Sequence, residues 1–189
     1  MKHSSKRERG MSFKVYLAGP EVFLPNAPEV LAKKLEICRS FGWEGLSPVD
    51  NEVDPTGLSK EGIATAIYEG NLEMMRKADA VIANITPFRG PHMDPGTAFE
   101  VGFFAALGKP VMVYTQHADE LVDRVVDWSQ GQVSQSPHGL RDRNNHLIED
   151  FGLRENLMIE SAIDNQGVDA NPVVSPVEFE QVFQCSKGF

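Results

Sequence analysis

Two carboxylates share the stretch DPGTAFEVG at residues 94–102, with Asp94 at its start and Glu100 towards its end. Two carboxylates in a crevice are the usual groups for glycosyl chemistry, in which one attacks the anomeric carbon and the other handles the leaving-group proton. The same pair can also bind a divalent metal, but His92 is the one further candidate ligand beside them, and a loop position accounts for it. The stretch therefore favours glycosyl chemistry, and neither a metal nor a cofactor is expected.

Glu100 lies among apolar residues that circle a predicted helix. Its neighbours three and four positions away are Gly96, Thr97, Phe103 and Phe104. None of them is basic, so Glu100 has no ion-pair partner along the helix. A carboxylate in apolar surroundings is costly unless it is hydrogen-bonded, which favours a functional role for Glu100. Two structural alternatives stay open: an exposed glutamate on a narrow polar stripe, and a buried glutamate paired with a distant base.

Strand and helix patterns alternate along most of the chain. Strands are predicted at 15–18, 43–48, 79–85 and 110–115, and helices at 29–41, 59–78 and 95–107. Further helices are predicted at 119–128, 154–163 and 175–183, with a loop at 131–144. Such alternation predicts a mainly parallel sheet with right-handed crossovers and helices on both faces. The expected fold class is α/β, as a single doubly wound, flavodoxin-like domain at 13–189 after a disordered tail or cloning remnant at 1–12.

Doubly wound sheets bind ligands beyond the carboxyl ends of their strands, where the strand order reverses. Gly19 follows the predicted strand 15–18, and Asn84 lies at the end of the predicted strand 79–85. Both are expected to border this crevice as substrate-binding residues. The helix that starts at Asp94 should face the same crevice, and Gly96 leaves room there for a ligand to approach closely. An Asp-Pro pair is also typical of a helix start, so capping alone can account for Asp94.

Four further side chains are candidates for the crevice, each with an ordinary structural alternative. Tyr16 can hold Glu100 through its hydroxyl, or it can be a core tyrosine. Asn71 lies on the apolar stripe of its helix and needs a partner, which is either a backbone group or a ligand. Phe23 and Phe88 stand in loops, where their rings can stack on a flat base or can belong to the core.

Composition and charge narrow the class of partner. The chain has 189 residues, of which 41% are hydrophobic and 24% charged, as in an ordinary soluble globular domain. The formal net charge of −9 argues against nucleic acid, because binding to phosphates needs a basic face. No apolar run is long enough for a membrane span, and two isolated cysteines suggest neither a disulfide framework nor a zinc site. We expect a cytoplasmic protein that binds a small molecule.

Four segments carry a recognisable pattern: YLAGPEVF at 16–23, YEGNLEMMRKADAVIANI at 68–85, DPGTAFEVG at 94–102 and ENLM at 155–158. Together they resemble the nucleoside 2-deoxyribosyltransferases. The resemblance implies transfer of 2-deoxyribose between bases of 2′-deoxynucleosides by double displacement, in nucleotide metabolism such as purine salvage. It implies that Glu100 is the nucleophile, that Asp94 contacts the base and relays its proton, and that Tyr16 positions the nucleophile. Hydrolysis is expected as a side reaction, because water can attack the glycosyl ester.

The resemblance also implies a homo-oligomer with shared sites. Asn156 matches an asparagine that a neighbouring subunit contributes to the 5′-hydroxyl of the deoxyribose, with Met158 beside it. Asn71 stands where many members of the family carry a second base-contacting aspartate, so one charge is missing here. The expected partners are 2′-deoxynucleosides, free nucleobases and further copies of the chain, without nucleic acid or membrane.

Two other functions compete with base exchange. One is an N-glycosidase that hydrolyses deoxynucleoside 5′-monophosphates, which typically needs serines and an Arg or His near the 5′-phosphate, on the loop after the first strand. That loop reads AGPEVFLPN, with the acidic Glu21 and no serine, so a nucleoside substrate is favoured. The other is a nucleotide-sensing module that binds without turnover, which would leave Glu100 without a purpose.

Overall fold

The computed structural model describes residues 12–51, 53–164, 173–174 and 179–185. Its described helices are α1 (Ala27–Ser40), α2 (Lys60–Lys77), α3 (Pro95–Ala106), α4 (Leu121–Trp128), α5 (Leu157–Asp164) and α6 (Gln181–Cys185). The strands are β1 (Phe13–Ala18), β2 (Trp43–Leu46), β3 (Ala80–Asn84), β4 (Val111–Thr115), β5 (Ser134–Ser136), β6 (Gly139–Arg141) and β7 (Val173–Val174). The predicted tail at 1–12 lies outside the described residues except for Ser12, whose hydroxyl donates a 2.8 Å hydrogen bond to Glu44.

The main sheet has the strand order β2-β1-β3-β4-β7, and each neighbouring pair is parallel. The chain moves from β1 outward to β2 and then returns past β1 to β3, so the order reverses between β1 and β3. This is the flavodoxin-like order, and it confirms the predicted doubly wound α/β fold. The carboxyl ends of β1 and β3 therefore lie side by side, where a ligand crevice is expected.

Two layers of helices cover the sheet, because side chains of a strand alternate between its faces. Tyr16 points to the face covered by α2, α3 and α5, whose core cluster includes Met75, Phe104 and Ile163. Its neighbours in the chain, Val15 and Leu17, point to the face covered by α1 and α6. Helix α3 is thus fixed directly above the β1 tyrosine, and this brings the first strand and the DPGTAFEVG stretch together.

The element bounds follow local chemistry. The central strands β3 and β4 are buried throughout, as their continuous apolar runs predict. Helix α2 begins after Ser59, whose hydroxyl oxygen accepts a 3.1 Å hydrogen bond from Gly62 N. Helix α3 begins after Asp94, and Pro95 occupies its first turn.

The region beyond β4 departs from the sequence predictions. The loop predicted at 131–144 is wrong, because β5 and β6 form an antiparallel hairpin there. Each strand has only three residues and little apolar character, so no alternation in the sequence could reveal it. The helix predicted at 175–183 falls partly outside the described residues, and within them α6 starts only at Gln181. The short edge strand β7 was not predicted.

Among the described residues, no helix is both long and apolar enough to cross a membrane. Within the same part of the chain, no cluster of three or more His, Cys, Asp or Glu side chains could hold a metal ion. Cys38 is a free, buried cysteine on the core-facing side of α1.

Candidate active site

Tyr16 and Glu100 meet between β1 and α3. The phenol of Tyr16 donates a 2.6 Å hydrogen bond to Glu100 Oε1. Tyr16 is 0% exposed, and burial followed by the nearby Glu100 charge raises its pKa, so the phenol stays protonated and acts as the donor. The bond fixes one oxygen of the carboxylate and leaves Oε2 for another partner.

The carboxyl group of Glu100 ionises less readily than an ordinary glutamate. Burial and the charge of Asp94 raise its pKa to about 7, although the hydrogen bond from Tyr16 acts in the opposite direction. Among the described residues, no basic side chain forms an ion pair with Glu100. Near neutral pH a substantial fraction of the Glu100 carboxyl groups is therefore ionised. Because no basic side chain of the described residues pairs with this charge, the carboxylate is suited to act as a nucleophile.

Asp94 caps helix α3 and is only 8% exposed. Its Oδ2 accepts a 2.8 Å hydrogen bond from Thr97 N and a 3.1 Å bond from the Thr97 hydroxyl. A Cβ atom placed on Gly96 would lie 3.0 Å from the same Oδ2, closer than ordinary contacts allow. Gly96 therefore leaves space for the Asp94 carboxylate itself, in addition to the room for a ligand that the sequence predicts.

Asn71 is half-buried on α2 and has a side-chain partner. Its Oδ1 accepts a 3.3 Å hydrogen bond from Asn51 Nδ2, which also donates a 2.9 Å bond to Ile67 O. Asn51 lies in the segment after β2 and was missed by the sequence analysis, because nothing in its local pattern marks it as a contact of α2. The pairing occupies the oxygen of Asn71, so the amide NH₂ is the group available to a ligand.

Phe23, Phe88 and Asn84 border a separate pocket of about 460 Å³ on the α1 side of the sheet. The two phenylalanine rings stack on each other with centroids 5.1 Å apart, and the Arg89 guanidinium lies against both rings. The pocket is lined by Pro20, Glu21, Phe23, Leu24, Val30, Lys34, Asn84, Thr86, Phe88, Tyr114, Gln116 and Phe179. Tyr16, Asp94 and Glu100 are not among its lining residues. The predicted site residues thus fall into two groups.

A buried polar cluster forms the floor of this pocket around Glu21. Glu21 Oε1 accepts 2.8 Å hydrogen bonds from Asn84 Nδ2 and the Tyr114 hydroxyl, and Lys34 donates to both Glu21 and Tyr114. Burial opposes ionisation of Glu21, but Lys34 outweighs it and lowers the pKa. A Cβ atom on Gly19 would lie 2.1 Å from Glu21 Oε2, so Gly19 makes room for this carboxylate.

The sequence of the loop presents Glu21 as an acidic group of the crevice, but the structure pairs its charge with Lys34. Lys34 neutralises it, so its charge is not an argument against a phosphate. Lys34 itself was missed, although one signal was present: this lysine interrupts the apolar stripe of α1 between Leu31 and Cys38.

Asn156 and Met158 stand where α5 begins. Glu149 Oε1 accepts a 2.7 Å hydrogen bond from Asn156 Nδ2, and Asn156 Oδ1 accepts a 3.0 Å bond from Met158 N. Met158 is 70% exposed. An ordered asparagine beside an exposed methionine is an arrangement that can contact a second molecule.

Comparisons with known proteins cover most of the chain. The family model for Nucleoside 2-deoxyribosyltransferase matches residues 15–158. An uncharacterized protein of Schizosaccharomyces pombe is 32% identical over 165 residues, 81% of this chain and 78% of that protein. A solved 2-desoxiribosyltransferase from Leishmania mexicana is 29% identical with a TM-score of 0.63, covering 91% of this chain and 95% of that chain. A conserved protein from Enterococcus faecalis, 22% identical with a TM-score of 0.55, shares the fold over 95% of this chain and 100% of that chain.

Proposed function

Because the chain belongs to the nucleoside 2-deoxyribosyltransferase family, we propose that it transfers 2-deoxyribose between the bases of 2′-deoxynucleosides. The observation that carries the proposal is the carboxylate of Glu100, held by the Tyr16 phenol at 2.6 Å and unpaired by any cation of the described residues. A structural glutamate would gain from a salt bridge, whereas a nucleophile needs its electron pair free.

In the proposed reaction a Glu100 carboxylate oxygen attacks C1′ of the donor deoxynucleoside. The C1′–N bond breaks, its electron pair leaves with the base, and an ester joins Glu100 to the 2-deoxyribosyl group. A second base then attacks C1′ through a ring nitrogen, displaces the carboxylate and loses its ring proton. Two displacements at one carbon give net retention.

Asp94 is proposed to contact the base and to relay the proton that the leaving base gains and the acceptor base loses. Its buried place at the start of α3 supports this role, since the cap fixes the carboxylate close enough to influence Glu100. Asn71 is proposed to donate its amide NH₂ to the base, with Asn51 holding its oxygen. Gly96, two positions after Asp94, is proposed to let the substrate approach the start of α3 closely.

Phe23, Phe88, Gly19 and Asn84 remain proposed substrate-binding residues, and Phe23 and Phe88 have the aromatic surface that a base needs. Their rings stack on each other. Binding of a base between them would need the stack to open, whereas binding on its outer face would not.

The active enzyme is proposed to be a homo-oligomer in which Asn156 of one subunit holds the 5′-hydroxyl in the site of the next. The exposed Met158 beside Asn156 supports an interface there. A second exposed apolar area lies on α2 and α3 and is formed by Ile67, Tyr68 and Phe99, the last of which precedes Glu100 in the chain. Covering such surfaces with a second copy would remove apolar area from water.

The proposal is tested by incubating the protein with deoxyinosine and adenine and separating the products by chromatography. Deoxyadenosine that forms only when both substrates are present supports transfer. Glu100→Ala should abolish exchange without changing the circular dichroism spectrum, while Glu61→Ala, at an exposed glutamate of α2, is the matched control that should remain active. Absence of product across purine and pyrimidine deoxynucleosides would refute base exchange.

Hydrolysis of deoxynucleoside 5′-monophosphates is the second candidate. The specific observation in its favour is the pairing of Glu21 with Lys34, which removes the acidic charge that would repel a phosphate. Release of base from a monophosphate without acceptor, faster than from the matching nucleoside, would favour the hydrolase. Faster turnover of the nucleoside with an acceptor base would favour the transferase.

A further inference from the structure

The carboxylate of Glu155 joins two segments that are distant in the sequence. Glu155 is 2% exposed, and its Oε2 accepts a 2.8 Å hydrogen bond from Met93 N. Its Oε1 accepts a 3.0 Å bond from Asn156 N and lies 2.8 Å from His92 Nδ1. One buried side chain thus binds the backbone just before Asp94 and the backbone of Asn156.

Arg124 makes a second connection between the same segments. Its Nε donates a 2.8 Å hydrogen bond to Pro91 O, and one guanidinium nitrogen donates to Arg154 O. The guanidinium also lies 3.6 Å from Glu155 Oε2 and so balances the buried charge. A planar guanidinium with several fixed donors holds both backbones at a set separation.

Two further glutamates stiffen the Asn156 side. Glu160 Oε1 accepts hydrogen bonds of 2.5 Å from Arg154 N and 2.7 Å from Glu155 N. Glu149 accepts from the Asn156 side chain and from Leu157 N. These bonds make 154–157 a rigid unit, so a displacement at Glu155 is passed to Asn156 rather than absorbed.

We propose that Glu155 is a positioning residue that couples neighbouring active sites of the oligomer. The inference rests on the proposed function, in which Asp94 serves its own subunit and Asn156 serves the next. Through Met93 N, Glu155 sets the loop that carries Asp94, and through Asn156 N it sets the asparagine that completes the adjacent site. A shift of the Asp94 loop when a base enters or leaves therefore moves the 5′-hydroxyl contact of the neighbour.

The first test needs no turnover. Glu155→Gln keeps the shape but replaces one acceptor oxygen by an NH₂ group, so one of the two backbone hydrogen bonds is lost, and the loss of the negative charge weakens the other. The rate of amide hydrogen exchange, measured by mass spectrometry, should rise at least tenfold both in peptides that cover 91–95 and in peptides that cover 153–157. Glu149→Gln is the matched control: the described hydrogen bonds of Glu149 come from Asn156 and Leu157, so hydrogen exchange should rise mainly in 153–157. Increased exchange confined to one segment in Glu155→Gln would overturn the coupling, whether or not the protein transfers deoxyribose.

The second test separates positioning from general damage. With a 2′-deoxynucleoside donor, Glu155→Gln should lower kcat and raise KM, each about tenfold. With the matching 2′,5′-dideoxynucleoside, which lacks the 5′-hydroxyl, the kcat loss should remain while the KM change disappears. Equal KM changes for both donors would contradict the role of Glu155 in setting Asn156.

If Glu155→Gln does not fold, the milder substitution Arg124→Lys provides the test. Arg124→Lys keeps a positive charge beside Glu155 but loses the fork that spans Pro91 and Arg154. It should show the same joint rise in exchange at 91–95 and 153–157, smaller in size. A wild-type chain that transfers no deoxyribose between bases would refute the proposed function. The hydrogen-exchange data would still decide whether the two segments move together.

Discussion

The Tyr16 phenol and the Glu100 carboxylate form a 2.6 Å hydrogen bond between the first strand and the helix above it. The bond lowers the pKa of Glu100, while burial and the Asp94 charge raise it to about 7. Tyr16 thus does two things: it fixes one oxygen of the carboxylate and favours its ionised form.

Tyr16→Phe is therefore expected to slow transfer and to move its pH dependence. A hydrogen bond to a charged group contributes about 1.5–3 kcal/mol, so kcat/KM should fall roughly 10- to 100-fold. The lower limb of the pH profile should shift to higher pH, since the carboxylate loses the donor that favours ionisation. Tyr68→Phe, at an exposed tyrosine, is the control. An unchanged pH profile in Tyr16→Phe would show that the phenol does not act on Glu100.

The raised pKa of Glu100 also makes stability depend on pH. A folded-state pKa above the ordinary value means that the folded protein binds this proton more tightly than the unfolded chain. The stabilisation is full below about pH 4.5 and is lost as the pH rises through about 7. Glu100→Gln has no proton to lose, so above pH 7 it should be more stable than the wild type by about 2 kcal/mol, allowing for partial solvent exposure. Urea unfolding of the wild type and of Glu100→Gln at pH 5 and pH 8 measures the difference in unfolding free energy between the two proteins. The same difference at both pH values would contradict the prediction.

Asp94 has a structural and a proposed chemical role, which two substitutions separate. Asp94→Asn keeps a capping oxygen for Thr97 N, so its stability should stay near that of the wild type. Asp94→Ala loses the cap and should be less stable by about 1 kcal/mol. Both should lose transfer activity, because neither side chain can carry the proton of the base. Full activity of Asp94→Asn in the chromatographic assay would leave Asp94 as a cap alone.

The buried pair of Lys34 and Glu21 predicts a large effect of removing one partner. Lys34→Met leaves the Glu21 carboxylate buried without its cation and should cost about 3–5 kcal/mol of unfolding free energy. Lys33→Met, at the adjacent exposed lysine, should change stability little. Adding Glu21→Gln to Lys34→Met should restore most of the loss, since the uncompensated charge is gone. A loss equal in the single and the double variant would mean that packing, not charge, decides.

The proposed sharing of active sites between subunits predicts complementation between Glu100→Ala and Asn156→Ala. Glu100→Ala and Asn156→Ala subunits, refolded together in equal amounts, form mixed oligomers in which a site is intact when its Glu100 and its Asn156 both come from subunits that retain them. Random assortment should restore about a quarter of the wild-type activity, with each variant alone far lower. Sites built within single subunits would give no recovery on mixing, which would refute the contribution of Asn156 to its neighbour.

Much of the fold could be predicted because its signals are local. The buried strands β3 and β4 are continuous apolar runs, and α1, α2 and α3 have caps or stop signals close to their ends. The hairpin of β5 and β6 has no such signal, since its pairing comes from backbone groups across a polar turn. Edge strand β7 has only two residues, too few for any periodicity.

The sequence alone determined that Glu100 is an acid without a local partner and that Asp94 starts its helix, because both properties depend on neighbours within four positions. Tertiary structure decided which groups meet them across the chain. The packing of α3 on β1 sets Tyr16 beneath Glu100. The segment after β1 lies against α1, which pairs Glu21 with Lys34, and the segment before α5 lies against the loop before α3, which lets Glu155 reach Met93. All three contacts join residues of different elements or loops, 13 to 84 positions apart, so they follow from the packing of the chain and not from any pattern within four positions.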